Sequence, residues 1–311
     1  MGVCARLCRV CCSADIDVLR TRSAQGRPAG QDCRCAIVEE GSHAPSIRLG
    51  TCSWSTSDWV GKVYSAGAKQ ADYIAEYAQR YDTVEIDSTF YGTPRQSTID
   101  GWRERTPETF TFAAKAPQII THEKFLVACE REFNDFLKAM DTLGPRLGPI
   151  VFQFPYYSKK YNVNESDFLE RLAPFVESLP KDGHLFVVEV RNKLWIRKPL
   201  LELLGSHGIT LALIDHPWMY RSEQLMKVGG ILTGPFAYVR LLGDRYGIEK
   251  ITKTWGEHVI DRKPDLERWA TVMKSILGQR LNVFGYVNSH YSGYAPGDVD
   301  TLYQLLGAAR A

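Results

Sequence analysis

The 311-residue sequence is 44% hydrophobic and 24% charged with a formal net charge of +2, an ordinary balance for a globular chain. Charge this even excludes the strong one-signed field of a nucleic-acid coat or membrane-surface protein, though it leaves room for a local basic patch. No run approaches the ~18 to 20 apolar residues of a membrane span, so we expect a cytoplasmic protein with no membrane partner.

The chain opens with a lopsided segment. Cys4, Cys8, Cys11, Cys12, Cys33 and Cys35 fall in the first 46 residues, leaving only Cys52 and Cys129 for the rest, as suits a reduced body. Cys8, Cys11, Cys12 and Cys33-x-Cys35, with His43 nearby, invite a zinc reading. A structural zinc site, however, pairs its cysteines inside a segment with an apolar pattern of its own, and none is visible here. Arg6, Arg9, Asp15 and Asp17 interrupt any apolar core of a signal peptide, and the acids through Glu40 are wrong for a transit peptide. We expect residues 1–46 to be a disordered or untranslated extension, with the start of translation nearer Val38, and residues 47–311 to form one domain.

From Ile47 onward strand and helix patterns alternate. Strands are expected at Ile47–Trp54, Thr83–Tyr91, Phe110–Pro117, Pro149–Pro155, His184–Arg191, Ile209–Asp215, Phe236–Leu242 and Leu281–Asn288. Several are continuous in apolar residues, as strands covered on both faces are. Between them, apolar residues at three-to-four spacing predict helices over Ala68–Tyr81 and Leu126–Leu143. The same spacing predicts helices around Leu169–Val176, Leu200–Leu204 and Leu266–Ile276, and over Asp298–Ala309. Pro217–Gly230 has no clean period, and Gly243–Lys263 is a long connection with little structure of its own. Eight strands each followed by a helix or room for one is the count of a (β/α)8 barrel. The rival, an open doubly wound sheet, would place a Gly-rich phosphate turn after its first strand, and Thr51-Cys52-Ser53-Trp54 is no such turn.

The polar residues gather at strand C-terminal ends: Ser53, Glu85, Asp87, Lys115, Gln153, Glu189, Arg191, Asp215, Arg240 and Asn288. In a barrel these ends share one mouth, where active sites of the fold lie. Two readings stand. Four acids and three bases can neutralise one another as a structural ion-pair network, or they can line a site. His122, His216 and His290 follow strands three, six and eight, as metal ligands or as polar loop residues. Trp54, Phe90, Tyr91, Trp218 and Tyr291 suit a stacking wall or ordinary packing. In the long connection after strand seven, Arg245, Tyr246, Lys250 and Lys253, with Ser292-Gly293 after strand eight, stand where many barrels hold phosphate.

Several of these stretches resemble the domain of unknown function 72, or YecE-like, family. They are Gly50-Thr51-Cys52-Ser53-Trp54, Val84-Glu85-Ile86-Asp87-Ser88-Thr89-Phe90-Tyr91, Phe112-Ala113-Ala114-Lys115 with Thr121-His122, Phe152-Gln153-Phe154-Pro155, Glu189-Val190-Arg191, Tyr238-Val239-Arg240-Leu241 and Gly293-Tyr294-Ala295-Pro296. The resemblance covers residues 47–311 and implies a TIM barrel but no established reaction. Likeness of the family to metal-dependent barrels such as endonuclease IV and sugar isomerases would imply a divalent metal. The chain departs from the family pattern at Asp87, where Asn is frequent, at Asn192, where His often follows, and at Tyr286-Val287-Asn288. Losing that His weakens the metal reading.

The expectation is therefore a hydrolase-like enzyme acting on a phosphorylated or nucleotide-like ligand. Glu85 or Glu189 would be the general base, Asp215 an orienting or second acid–base group, and Lys115, Arg191 and Arg240 would stabilise negative charge. Trp54, Asp87, Tyr91, Gln153, Arg245, Asn288 and His290 would join Arg191 and Arg240 around the ligand. The alternative is a non-catalytic module binding nucleic acid or a nucleotide; a glycosidase with paired carboxylates ranks third, since sequence does not fix their separation.

Overall fold

The computed structural model describes residues 44–180 and 182–308, so the expectations for residues 1–43 lie outside the described residues. Eight parallel strands form one sheet: β1 (Ile47–Thr51), β2 (Thr83–Ile86), β3 (Thr111–Lys115), β4 (Leu147–Gln153), β5 (Phe186–Glu189), β6 (Thr210–Asp215), β7 (Phe236–Leu241) and β8 (Asn282–Val287). Hydrogen-bonded ladders run from β2 in order to β8, and β8 pairs with β1. The sheet is thereby a nearly closed TIM barrel. Among the described residues β1 and β2 share no ladder. Their seam is bridged by Tyr77, whose hydroxyl receives the Thr51 N–H at 2.9 Å and donates to the Thr83 carbonyl at 3.2 Å. Gly50 permits the approach, since a Cβ there would lie 2.1 Å from the Thr83 carbonyl oxygen.

Around the barrel lie α1 (Tyr73–Tyr77), α2 (Gln96–Glu104), α3 (Glu130–Asp141), α4 (Glu165–Ser178), α5 (Lys198–Ser206), α6 (Ser222–Leu225), α7 (Arg245–Ile248), α8 (Lys263–Gly278) and α9 (Ala295–Leu306). Their apolar stripes, such as Phe133, Phe136, Leu137 and Met140 of α3 and Leu266, Trp269, Met273 and Ile276 of α8, are buried against the strands. Burial at roughly 25 cal/mol per Å² of apolar surface is what holds the helical ring to the sheet.

Several expected elements come out shorter or displaced, among them the helix over Ala68–Tyr81, which spans only Tyr73–Tyr77. The second strand ends at Ile86, because Thr89 turns back and donates its hydroxyl to the carbonyls of Ile86 and Lys115 at 2.8 and 2.7 Å; Ser88–Tyr91 is a 3-10 turn. The third long helix starts at Glu130 instead of Leu126, since Phe125, Leu126 and Ala128 have positive φ and cannot propagate a helix. The long connection after β7 carries α7, begun by an Asp244 side chain that accepts the Gly247 N–H at 3.1 Å.

Candidate functional site at the barrel mouth

Alternation along the strands sends Glu85 of β2, Glu189 of β5 and Arg240 of β7 into the barrel from three directions. The Arg240 guanidinium spans them, giving one terminal nitrogen to Glu85 Oε1 and the other to Glu189 Oε2, both at 2.5 Å. Tyr238, two residues earlier on the same face of β7, donates its hydroxyl to Glu85 Oε2 at 2.7 Å. Arg191, just past the end of β5, donates Nε–H to Glu189 Oε1 at 2.6 Å. All four carboxylate oxygens are thereby engaged. Both glutamates are 0% exposed and Arg240 is 2% exposed, so the group forms a sealed, charge-paired floor. Burial alone would raise the Glu189 carboxyl, but Arg191 and Arg240 outweigh it and hold it at about 2. A carboxylate so acidic and so fully bonded is a poor proton acceptor. Glu189 and Glu85, expected as candidate general bases, lie in this floor with every carboxylate oxygen engaged.

Above the floor stands a second tier. Lys115 ends β3 with its Nζ 3.2 Å from Asp87 Oδ1 and 3.9 Å from the centre of the Phe90 ring. Its backbone is pinned by Thr89, whose hydroxyl both accepts the Lys115 N–H and donates to the Lys115 carbonyl. Arg191 uses Nε on Glu189, and its two terminal nitrogens reach solvent with no hydrogen-bond partner among the described residues. His122 lies edge-on to Phe90, and burial, Lys115 and Arg191 together lower its imidazole to about 4. His216 is likewise lowered to about 4, by burial and then Arg191. Both rings are neutral at pH 7. His216 Nδ1 accepts the Trp218 N–H at 3.3 Å, so the neutral ring carries its proton on Nε2.

The remaining expected residues divide into three groups. Gln153 sits in register beside Glu189, inside the barrel, its Nε2 donating to the Phe154 carbonyl at 2.5 Å. Asn288, His290 and Arg245 form an adjoining rim. Asn288 Oδ1 accepts from His290 Nδ1 at 2.5 Å, His290 Nε2 lies 3.3 Å from Glu249, and Glu249 holds Arg245 at 2.7 Å. Tyr91 is on this rim, 76% exposed. Trp54 and Asp215 lie elsewhere. Trp54 packs edge-on to Trp102 of α2 and to Phe112, between strands and helices, because its side chain follows the outward face. Asp215 also points outward, where its Oδ2 accepts from Trp269 Nε1 at 2.7 Å and from the Tyr291 hydroxyl at 3.1 Å; burial raises its carboxyl. It lines an off-axis cavity of about 380 Å³ between β6, α6 and α8, together with Arg221, Arg262 and Arg268.

Sequence reasoning gave Tyr238 no role, placed Phe90 only in a stacking wall, and read His122 and His216 as metal ligands or polar loop residues. The signal for Tyr238 was its two-residue spacing from Arg240; for the histidines it was their position just after a strand. Among the described residues no three His, Cys, Asp or Glu side chains converge as a metal-ligand set. The carboxylates that would serve are already filled by guanidinium and phenol donors, so the residues present do not fit the divalent ion that the family's analogies imply.

A family model described as "Protein of unknown function DUF72" matches residues 48–311. The UPF0759 protein YecE of Escherichia coli strain K12 is 28% identical over 215 residues, covering 63% of this chain and 74% of the relative. The UPF0759 protein YunF of Bacillus subtilis strain 168 is 27% identical over 183 residues, covering 55% and 61%. Among solved structures, a DUF72 family protein from Thermotoga maritima superposes with a TM-score of 0.67 at 23% identity, over 84% of this chain and 99% of its own. At that identity the likeness is one of fold.

Proposed function

The chain belongs to the DUF72 family, and from the arrangement of its barrel mouth we propose that it binds a small phosphate-bearing ligand there and hydrolyses it. The observation that carries this reading is Arg191. Its Nε is fixed on a buried carboxylate while its two terminal nitrogens have no hydrogen-bond partner among the described residues, which is how a guanidinium is pre-organised for an oxyanion. Lys115 supplies a second cation, held from below by Thr89 and from the side by Asp87.

Two neutral imidazoles beside these cations provide the acid–base chemistry. A bound anion offsets the repulsion from Lys115 and Arg191, raising His122 and His216 from about 4 toward the range in which imidazole exchanges protons near neutrality. His122 then takes the proton of an attacking water as its oxygen bonds to phosphorus and the bond to the leaving oxygen breaks, and the imidazolium returns that proton to the leaving oxygen, while Lys115 and Arg191 stabilise charge on the phosphoryl oxygens. The floor of Glu85, Arg240 and Glu189 fixes Arg191 and takes no proton. Asp215, facing the off-axis cavity, has no part in this step.

The test is calorimetric titration with inorganic phosphate alongside turnover of a panel of phosphomonoesters, repeated with Arg191→Met. Binding that disappears in the variant supports the reading; unchanged phosphate affinity in Arg191→Met would remove it. A second reading, a non-catalytic surface for single-stranded nucleic acid, draws on the exposed Tyr91 and Tyr246 flanking Arg245 on the rim. Polynucleotide binding that weakens steeply with salt, without turnover, would favour it.

A further inference from the structure

Between the loops that follow β5 and β6 lies a cleft of about 550 Å³, within the range of small-ligand sites. Its walls are Tyr156, Leu194, Pro217 and Trp218, and its base is Trp195. Trp218 is 51% exposed, Tyr156 46% and Leu194 72%. Three large side chains left this open around one cleft at a strand-end mouth mark a binding surface. The base is rigid, since Trp195 is stacked on Tyr157 and Phe168 at 5.6 and 5.0 Å between ring centres.

The cleft adjoins the anion tier through the chain itself, twice. Arg191 is followed directly by Asn192 and Lys193, which line the cleft. His216 and Trp218 belong to one turn, closed by the Met219 N–H on the His216 carbonyl at 2.9 Å and by the Trp218 N–H on His216 Nδ1; their rings meet edge to face at 5.1 Å. A group held by Arg191 beside His216 is therefore one turn away from the Trp218 face.

The polar chemistry of the cleft narrows what fits. Asn192 spends its amide on the backbone of Tyr157, accepting the N–H and donating to the carbonyl, both at 2.9 Å. Lys193 only donates, and among the described residues no carboxylate lines the cleft. Besides indole N–H donors, only the Lys193 ammonium and the Tyr156 hydroxyl among the lining side chains are left to meet the hydroxyls of a sugar ring. A planar heteroaromatic ring asks only for a face, and stacking of that kind tolerates any base.

We propose that this cleft is a stacking subsite for a planar heteroaromatic ring attached to the anion held at Arg191, with Trp218 as platform and Tyr156 as side wall, and that it does not discriminate among bases. This rests on the phosphate reading above and names its ligand class: a nucleoside monophosphate or a close relative.

Isothermal titration of the full chain with inorganic phosphate, ribose 5-phosphate, AMP, UMP and adenosine tests it, with tryptophan fluorescence as a second readout. AMP and UMP should bind at least about tenfold more tightly than inorganic phosphate, within a few-fold of each other, and quench the fluorescence. Trp218→Ala should bring both down to the affinity of inorganic phosphate. AMP no tighter than phosphate, or equal loss with ribose 5-phosphate and AMP in Trp218→Ala, would overturn the ring assignment while leaving phosphate binding intact. Adenosine binding that needs Trp218, with no phosphate binding at all, would uphold the stacking subsite and defeat the anion reading instead.

Discussion

Arg240 and Glu189 meet at 2.5 Å inside the barrel, with the same guanidinium reaching Glu85 at the opposite wall. That single contact sets the roles of most charged groups around it. With its Glu85 counterpart it fills the carboxylates that looked like catalysts, and it leaves the terminal nitrogens of Arg191 without a partner among the described residues.

Arg240→Met strands two buried carboxylates and should cost about 3–5 kcal/mol, read as a fall in urea midpoint. The triple variant Glu85→Gln, Arg240→Met, Glu189→Gln removes the charges together and should lie well above the single variant in stability. If the single variant were as stable as the parent, the floor could not be the sealed network described here.

Tyr238→Phe removes the donor to Glu85 Oε2 and should destabilise by about 1–3 kcal/mol. Trp54→Ala opens a cavity between strands and helices and should cost about 3–5 kcal/mol. Neither side chain belongs to the second tier, so phosphate affinity, measured where both variants are folded, should stay within about twofold of the parent.

Titration by NMR separates the two imidazoles. In Arg191→Met both His122 and His216 should titrate at higher pH than their parent value of about 4, because Arg191 lowers each. In Lys115→Met only His122 should move strongly, since Lys115 acts on that ring. A His216 shift as large as that of His122 in Lys115→Met would contradict the placement of the two tiers.

The pH dependence of stability has a definite sign. Glu189 and the two histidines all have folded values below their unfolded ones, at about 2 against 4.5 and about 4 against 6.5. In each case the unfolded chain binds protons first as pH falls, so stability is greatest above both values and declines through the window between them. These three groups should therefore lower the denaturation midpoint in two stages, from pH 6.5 toward 4 with the histidines and from 4.5 toward 2 with Glu189, against the opposite contribution of carboxyls such as Asp215 that burial raises. Arg240→Met should blunt the second stage, because it removes one of the two guanidiniums that hold Glu189 down.

Anion binding should take up protons. A bound sulfate, which does not itself titrate between pH 5 and 7, raises both imidazoles, so its affinity should increase as pH falls from 7 toward 5, and calorimetry in two buffers of different ionisation enthalpy should report net proton uptake. Proton release on binding would rule out His122 and His216 as the groups beside the anion.

What the sequence determined was the order of elements and the position of polar residues along each strand. Apolar runs such as Ile209–Ile214 and the three-to-four spacing in α8 have local periods that survive any tertiary context, so eight strands, a barrel and a polar mouth were legible. Facing direction was not. Asp215 and Glu189 both end apolar strands, yet one packs outward under Trp269 and the other inward against Arg240, since the pleat direction of each strand depends on register with its neighbours. Only the closed sheet decided which charges meet: β2, β5 and β7 are far apart in sequence, and a guanidinium that spans them must wait for the barrel to bring their side chains within bonding distance.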